Sequence, residues 1–270
     1  MIKAIVAGAA GRMGSRIINI INGTEGISLA GAFEHPDSPF VGLDSGQSAG
    51  IGKTGVIISP SLDEIIGSGD VVIDFTLPDS TLKNIDKVAA RGLAMVIGTT
   101  GITGSALDEL KEKARKIRCV MAPNMSVGVN VMFRVASEIA LILGDEYDIE
   151  ILEAHHRLKK DAPSGTAMGL AKVLAESTGR DLDKSAVYFR KGMIGERSNE
   201  EIGIQTLRAG DITGDHTVMF GGIGERLELT HRAHNRDNFA RGAVRAAKWI
   251  MEQPVGLYDM QDVLGIRKQV

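Results

Sequence analysis

Aromatic residues are scarce in this chain, at 4% of 270 residues, which removes the base-stacking platforms that single-stranded nucleic acid needs. Charge of one sign is lacking too. Lys and Arg number 31 against 34 Asp and Glu, a formal net charge of −3, so no global basic field points to a nucleic-acid partner. The lone cysteine, Cys119, excludes an intramolecular disulfide. It lies in an apolar run, residues 117–121, reads as an inert buried thiol, and is compatible with a reducing compartment. No long apolar segment with a cleavage site precedes the first strand. The longest apolar stretch, residues 127–143, is interrupted by Asn130, Arg134 and Glu138 on one side of a helix, an amphipathic and not a membrane-spanning pattern. The expectation is a cytoplasmic protein with no membrane or nucleic-acid partner.

What is present is an ordinary globular balance, 43% hydrophobic and 24% charged, enough to build the core of one large or two ordinary domains. The first half alternates strand and helix patterns. Strands are predicted over residues 3–7, 28–33, 71–75, 93–97 and 118–121. Helices are predicted over 13–22, over 80–90 with Asp79 or Ser80 as cap, and from Thr103 to about residue 116. Buried strands alternating with helices predict an α/β fold with a Rossmann-type doubly wound parallel sheet.

After a helix over 127–143 the pattern changes. Strands over 147–155, 201–208, 216–220 and 226–233, with one helix over 165–177 among them, predict a second α+β domain with a mixed, largely antiparallel sheet. A last amphipathic helix spans 237–252. Residues 179–200 read as a polar loop or arm. The domain reading is 1–126 with 236–270 for a dinucleotide-binding domain, and 127–235 for a substrate-binding and oligomerisation domain.

Gly8-Ala9-Ala10-Gly11-Arg12-Met13-Gly14 follows the first strand and opens the first helix. A glycine-rich turn there lets a pyrophosphate approach the backbone and rest on the helix N-terminus. The spacing GxxGxxG is weak as a motif, but Glu34 closes the second strand about 20 residues on, where a carboxylate binds the adenosine ribose hydroxyls. Glu34 argues for NADH, because a carboxylate repels a 2′-phosphate. His35 if protonated, or Arg12, is able to support that phosphate. Residues 98–101 (Gly98, Thr99, Thr100, Gly101) and 122–126 (Ala122, Pro123, Asn124, Met125, Ser126) fall at further strand ends, where open α/β sheets bind ligands. Plain loop chemistry is the alternative there, as it is for Asp74, Phe75 and Thr76.

The most informative stretch runs from Glu153 to Thr166. It crowds His155, His156, Arg157, Lys159 and Lys160 together, breaks at Pro163, and opens a helix at Ser164-Gly165-Thr166. Crowded cations lower one another's pKa, which suits proton transfer near neutral pH. The helix N-terminus offers an anion site. The pair suggests a carboxylate-rich substrate that receives a proton. Adjacent histidines on a strand point to opposite faces, so one of them acts and the other packs unless the strand breaks. They also lack metal-ligand spacing, and no metal is expected. Arg208, His231, Arg236 and other scattered cations read mostly as surface charges.

These residues together resemble the 4-hydroxy-tetrahydrodipicolinate reductase (dihydrodipicolinate reductase) family. The resemblance runs through the glycine turn, Ile73 to Thr76, Val96 to Gly101, Asn124 to Asn130, Glu153 to Arg157, Lys159 to Ala167, Arg208 to Asp211 and Gly224 to Leu227. It implies an NAD(P)H-dependent oxidoreductase that reduces 4-hydroxy-tetrahydrodipicolinate to tetrahydrodipicolinate with loss of water, in lysine and diaminopimelate biosynthesis. It implies that Gly8, Ala9, Ala10, Gly11, Arg12 and Met13 wrap the pyrophosphate and Glu34 holds the ribose, and that Gly98, Thr99, Thr100, Ala122, Pro123, Asn124 and Met125 line the nicotinamide side. His155 and Lys159 would be the proton-transferring groups, with His156, Gly165 and Thr166 on the carboxylates of a small cyclic dicarboxylate. The cofactor would be NADH and/or NADPH, and the assembly a homotetramer built through the second domain's sheet. His35 departs from relatives that carry an arginine there, and Pro123 stiffens a loop where small residues are usual. An amino-acid dehydrogenase and a nucleotide-sensing binding protein are the rival readings. The sensor needs no proton donors.

Overall fold

The computed structural model describes residues 1–267, in two compact units. One comprises residues 1–127 with the chain from 236 onward, the other residues 128–235. The elements of the first half are β1 (Ile2–Ala7), α1 (Gly14–Asn22), β2 (Ile27–Phe33), α2 (Ser45–Ser48), β3 (Ile58–Ser59), α3 (Leu62–Ile65), β4 (Val71–Asp74), α4 (Pro78–Arg91), β5 (Ala94–Ile97), α5 (Gly104–Ala114) and β6 (Arg118–Met121). Then follow α6 (Val127–Leu143), β7 (Asp148–His155), α7 (Gly165–Thr178), α8 (Leu182–Ser185), β8 (Ala186–Val187), β9 (Ile202–Arg208), β10 (Gly214–Gly222) and β11 (Glu225–Ala233). The chain returns through α9 (Asp237–Ile250), β12 (Gly256–Tyr258) and α10 (Met260–Leu264).

The first unit is built on a 7-stranded sheet of order β12-β6-β5-β4-β1-β2-β3, parallel at every pairing. Strand order reverses between β1 and β4, the switch point where such sheets bind ligands beyond their carboxyl ends. Both faces are covered, which is why the strands read as unbroken apolar runs. Side chains alternate across the strand. Val6, Ile73, Val96 and Val120 therefore pack with α1 and α9 on one face. Ile5, Val72, Met95, Ile97 and Cys119 pack with α4 and α5 on the other. Burial alone pushes the Cys119 thiol pKa far up, which keeps it protonated and inert.

The helix starts differ from the expected caps. α4 begins at Pro78, with Leu77 at the cap position and no side-chain cap; proline's fixed φ and missing N–H suit the first helical position. Asp79 lies inside the first turn, not before it. Thr103 does occupy the cap position of α5, but its side chain makes no capping bond.

The second unit carries a 5-stranded mixed sheet of order β11-β10-β7-β9-β8. β10 is antiparallel to both β11 and β7, while β9 is parallel to β7 and β8. α6 and α7 cover one face, burying Met132, Ala136 and Ala140, and Leu170, Ala171 and Leu174, on Ile149, Ile151, Ile204, Val218 and Phe220. Residues 127–146 are, among those described, the one helix long and apolar enough to cross a membrane, yet Met132, Ala136 and Ala140 of α6 pack in this core. Residues 179–200, read as a loop or arm, hold the short α8 and β8 and a strap. Arg197 fastens the strap to Asp148 (2.6 Å) and Glu150 (3.2 Å), and Arg190 to Glu150 (2.8 Å) and Glu201 (2.9 Å).

α9 lies so close to the loop after β6 that a Cβ at Gly242 would stand 1.7 Å from the Met125 carbonyl oxygen. Backbone cannot swing aside as a side chain can. Gly242→Ala should therefore lower stability by about 1–3 kcal/mol, the usual cost of overpacking. Urea unfolding followed by Trp249 fluorescence measures it, and a midpoint equal to wild type would contradict the close approach.

Candidate active site

In the first unit the geometry is a strand, a glycine turn and a helix. Gly8 has φ +62, a left-handed conformation that side chains disfavour. A Cβ at Gly14 would lie 2.0 Å from the Gly8 carbonyl oxygen, so the turn closes tightly on itself only with glycine there. No side chain caps α1 and its first turn holds no acidic residue, which leaves its N-terminus suited to an anion. The Glu34 carboxylate accepts from the Ala10 N–H at 2.9 Å and from the His35 N–H at 3.2 Å. The acidic group at the end of β2 is thus tied to the turn. A dinucleotide fits this arrangement: a turn closed tightly at Gly8 and Gly14, a positive helix end, and a carboxylate beside both. His35 is turned toward Asp37, whose N–H donates to its Nδ1 at 3.3 Å.

Beyond β4, the fully buried Asp74 carboxylate gathers donors from three segments. Thr76 Oγ1 (2.6 Å), Thr76 N–H (2.9 Å), Thr81 Oγ1 (3.2 Å), Thr99 Oγ1 (3.3 Å) and Asn84 Nδ2 (2.8 Å) all reach it. The loop carrying Gly98, Thr99 and Thr100 is therefore fixed by a residue first read as loop chemistry. Ala122 and Met125, at the end of β6, are buried. The Asn124 side chain accepts from the Ser126 N–H at 2.8 Å, which shapes the loop holding Pro123.

In the second unit β7 alternates so that Glu153 and His155 face inward together. His156 lies just beyond the strand and is half-buried. The strand ends between the histidines, and the inner one is held. Glu153, 1% exposed, has an oxygen 2.6 Å from His155 Nδ1 and accepts from the Ser164 N–H at 3.0 Å, from Thr206 Oγ1 at 3.2 Å, and from both Arg208 Nη atoms at 2.9 Å. Arg208, expected on the surface, is part-buried, and it also donates to the Asp161 carbonyl at 2.6 Å. Sequence reading assigned no role to Glu153, although its i, i+2 spacing from His155 on a strand places both on one face.

Lys159 Nζ lies 2.9 Å from Asp161. Ser164 caps α7 by accepting from the Ala167 N–H at 3.1 Å. The first turn of α7, with Gly165 and Thr166, carries no acidic residue, which again leaves an anion-ready helix start. Ser164 Oγ also meets His216 Nε2 at 3.0 Å. The His216 ring stands edge-on to that of His155, centroids 5.2 Å apart.

Burial pushes the His155 pKa down. Glu153 opposes that shift, and the charges of Lys159 and Arg208 add to it, so the net value is below the ordinary histidine range. Mutual repulsion among crowded cations was the expected cause; desolvation is the larger one. For Glu153, burial acts upward, but the bonds from Arg208, His155 and Ser164 outweigh it and hold the carboxyl below its usual value.

The family model described as dihydrodipicolinate reductase, N-terminus, matches residues 2–125, and that described as dihydrodipicolinate reductase, C-terminus, matches residues 128–264. The chain is similar to the 4-hydroxy-tetrahydrodipicolinate reductase of Syntrophus aciditrophicus, 56% identical over 267 residues, covering 99% of this chain and 100% of that protein. It is similar also to that of Citrifermentans bemidjiense, 54% identical over the same length and coverage. Among solved structures, the dipicolinate-bound dihydrodipicolinate reductase from Paenisporosarcina sp. TG-14 superposes with a TM-score of 0.76 at 26% identity, over 97% of this chain and 98% of that one.

Burial drives the His216 pKa from 6.5 down to about 3, with the charge of His155 adding to it. Between those values the unfolded chain binds a proton that the folded chain refuses, so stability falls as pH drops below 6.5. At pH 5 the linked loss amounts to about 2 kcal/mol relative to pH 7.5. His216→Gln should remove this component. The check is urea unfolding of both proteins at the two pH values, and an unchanged pH dependence in the variant would rule the linkage out.

Proposed function

The chain belongs to the dihydrodipicolinate reductase family, and we infer from that and from the geometry of its site how its residues divide the chemistry. It is an NAD(P)H-dependent oxidoreductase, a 4-hydroxy-tetrahydrodipicolinate reductase of lysine and diaminopimelate biosynthesis. A bound nicotinamide dinucleotide supplies the hydride. Gly8, Ala9, Ala10, Gly11, Arg12 and Met13 would hold its pyrophosphate, Glu34 the adenosine ribose, and residues 98–100 and 122–125 the nicotinamide side.

The substrate reading is a small cyclic dicarboxylate. His156 and the start of α7 at Gly165 and Thr166 would hold its carboxylates, with the helix dipole favouring the negative charge. Loss of water needs a base for a ring proton and an acid for the departing hydroxyl. His155, kept neutral near pH 7 by burial, suits the base. The Lys159 ammonium suits the acid. The proton taken by His155 returns to the ring when hydride arrives at the neighbouring carbon. The proton given by Lys159 leaves as part of water and is the one the net reaction consumes. The observation that carries this division is the buried, carboxylate-held His155 set one turn of chain from Lys159.

Glu34 favours NADH, with Arg12 the cation able to support NADPH, since His35 faces Asp37. A homotetramer formed through the second unit's sheet goes with the exposed edge strand β11 and with exposed Phe189, Ile223 and Leu227. Light scattering on the purified protein reads that assembly directly. A cytoplasmic location accompanies the pathway assignment.

Lys159→Ala and His155→Gln are each expected to lower kcat about 10²–10⁴-fold, the usual worth of positioned acid–base groups, with cofactor affinity nearly unchanged. Turnover of substrate generated in place from pyruvate and aspartate semialdehyde is the assay. Wild-type kcat in either variant would dismiss that residue's role. Glu34→Gln should shift the NADH-to-NADPH ratio of kcat/KM toward NADPH, and a ratio that stays put would take cofactor choice away from Glu34.

A further inference from the structure

The Glu153 carboxylate has no lone pair left for a proton of its own. Its Oε2 faces His155 Nδ1 (2.6 Å) and Arg208 Nη1 (2.9 Å). Its Oε1 faces the Ser164 N–H (3.0 Å), Arg208 Nη2 (2.9 Å) and Thr206 Oγ1 (3.2 Å). The Arg208 guanidinium and the Ser164 N–H can only donate, so the group is ionised, with Arg208 as its counter-charge. An ionised acceptor opposite His155 Nδ1 requires that nitrogen to carry its hydrogen. The other nitrogen, Nε2, then holds the free lone pair. Nε2 faces Gly214, where an added Cβ would come within 3.0 Å of it. A side chain at that position would crowd the Nε2 edge of the ring.

We propose that Glu153 is a positioning residue for proton transfer: it locks His155 in the Nδ1–H tautomer and in one ring orientation, so that protons pass through Nε2 alone. The inference rests on the reading of His155 as a proton-exchanging group. When Nε2 takes the ring proton, His155 becomes an imidazolium with both nitrogens protonated. Its Nδ1–H stays with Glu153, which remains ionised, and no proton crosses to the carboxylate. Returning the proton from Nε2 restores the starting tautomer. The charged and titratable groups facing the ring are Glu153 on β7, Arg208 on β9, His216 on β10 and Lys159 after β7, with His231 paired to His216 across β11. Glu153 is the only anion in that set. Removing its charge leaves the imidazolium beside Arg208 with no anion against the ring, since Asp161 is paired with Lys159.

The first test needs no variant. Solid-state ¹⁵N NMR of the histidine-labelled full-length protein at pH 8 should show His155 as the Nδ1–H tautomer, assigned by its loss in His155→Gln. An Nε2–H tautomer would overturn the proposal. Glu153→Gln keeps the shape and removes the charge. Expected are a kcat loss of about 10²–10³-fold, unchanged cofactor Kd, and an acid limb of the kcat profile moved to lower pH. If Glu153→Gln retains wild-type kcat and pH profile while His155→Gln is impaired, the positioning role fails and the proton role of His155 stands. If His155→Gln itself turns over normally, the underlying reading fails, and this one with it.

Discussion

A buried carboxylate stays charged only if the protein replaces water's hydrogen bonds completely, and the second unit is arranged around one that meets this condition. Glu153 draws donors from its own strand, from the parallel neighbour β9, and from the start of α7. Those partners come from distant parts of the sequence, so the carboxylate sets the positions of His155, the anion-ready helix start and the loop between them in a single step. The Arg208 contact to the Asp161 carbonyl extends that control to the segment carrying Lys159. A salt bridge in such surroundings contributes little net stability against a hydrophobic replacement. Its value here is geometric.

The first unit solves the same problem with neutral donors. Asp74, at the end of β4, is satisfied by threonine hydroxyls, a backbone N–H and the Asn84 amide. Among the described residues no cation pairs with it, so no second charge has to be accommodated there. What the arrangement achieves is the joining of the loop after β4 to that after β5, at the edge where strand order reverses. Glu34 does a related job at the end of β2 by accepting from Ala10 in the glycine turn. The sheet supplies parallel strand ends at fixed spacing, and carboxylates convert those ends into ordered loops.

Much of this was legible in the chain. Unbroken apolar strands alternating with helices require a parallel sheet covered on both faces, and Gly8 to Gly14 sits where strand meets helix in the way a dinucleotide demands. The change of period after residue 143 marked the second, mixed sheet. Less visible were elements too short for any period to register, such as β3, α3, β12 and α10. The start of α4 was misplaced because a polar cap was sought where Pro78 begins the helix. The largest omission was chemical. Arg208 read as a surface cation because charge gives no sign of its partner, and its partner Glu153 is far away in sequence. His216 carried no local motif at all.

The histidine chemistry shows most clearly why sequence proximity misled. Crowding of His155, His156, Lys159 and Lys160 suggested that like charges lower the histidine pKa. The fold buries the His155 ring where the strand ends, while Arg157 and Lys160 are exposed and Lys159 still acts on it. Desolvation then becomes the dominant influence, and the ionised Glu153 opposes it. The balance of a lowering by burial and a raising by a carboxylate yields a neutral imidazole that still has a strong partner for its imidazolium form. Repulsion alone would depress the pKa equally well but would leave the protonated ring unsupported and free to rotate. A group that must accept a proton and then return it is served by the first arrangement and not by the second.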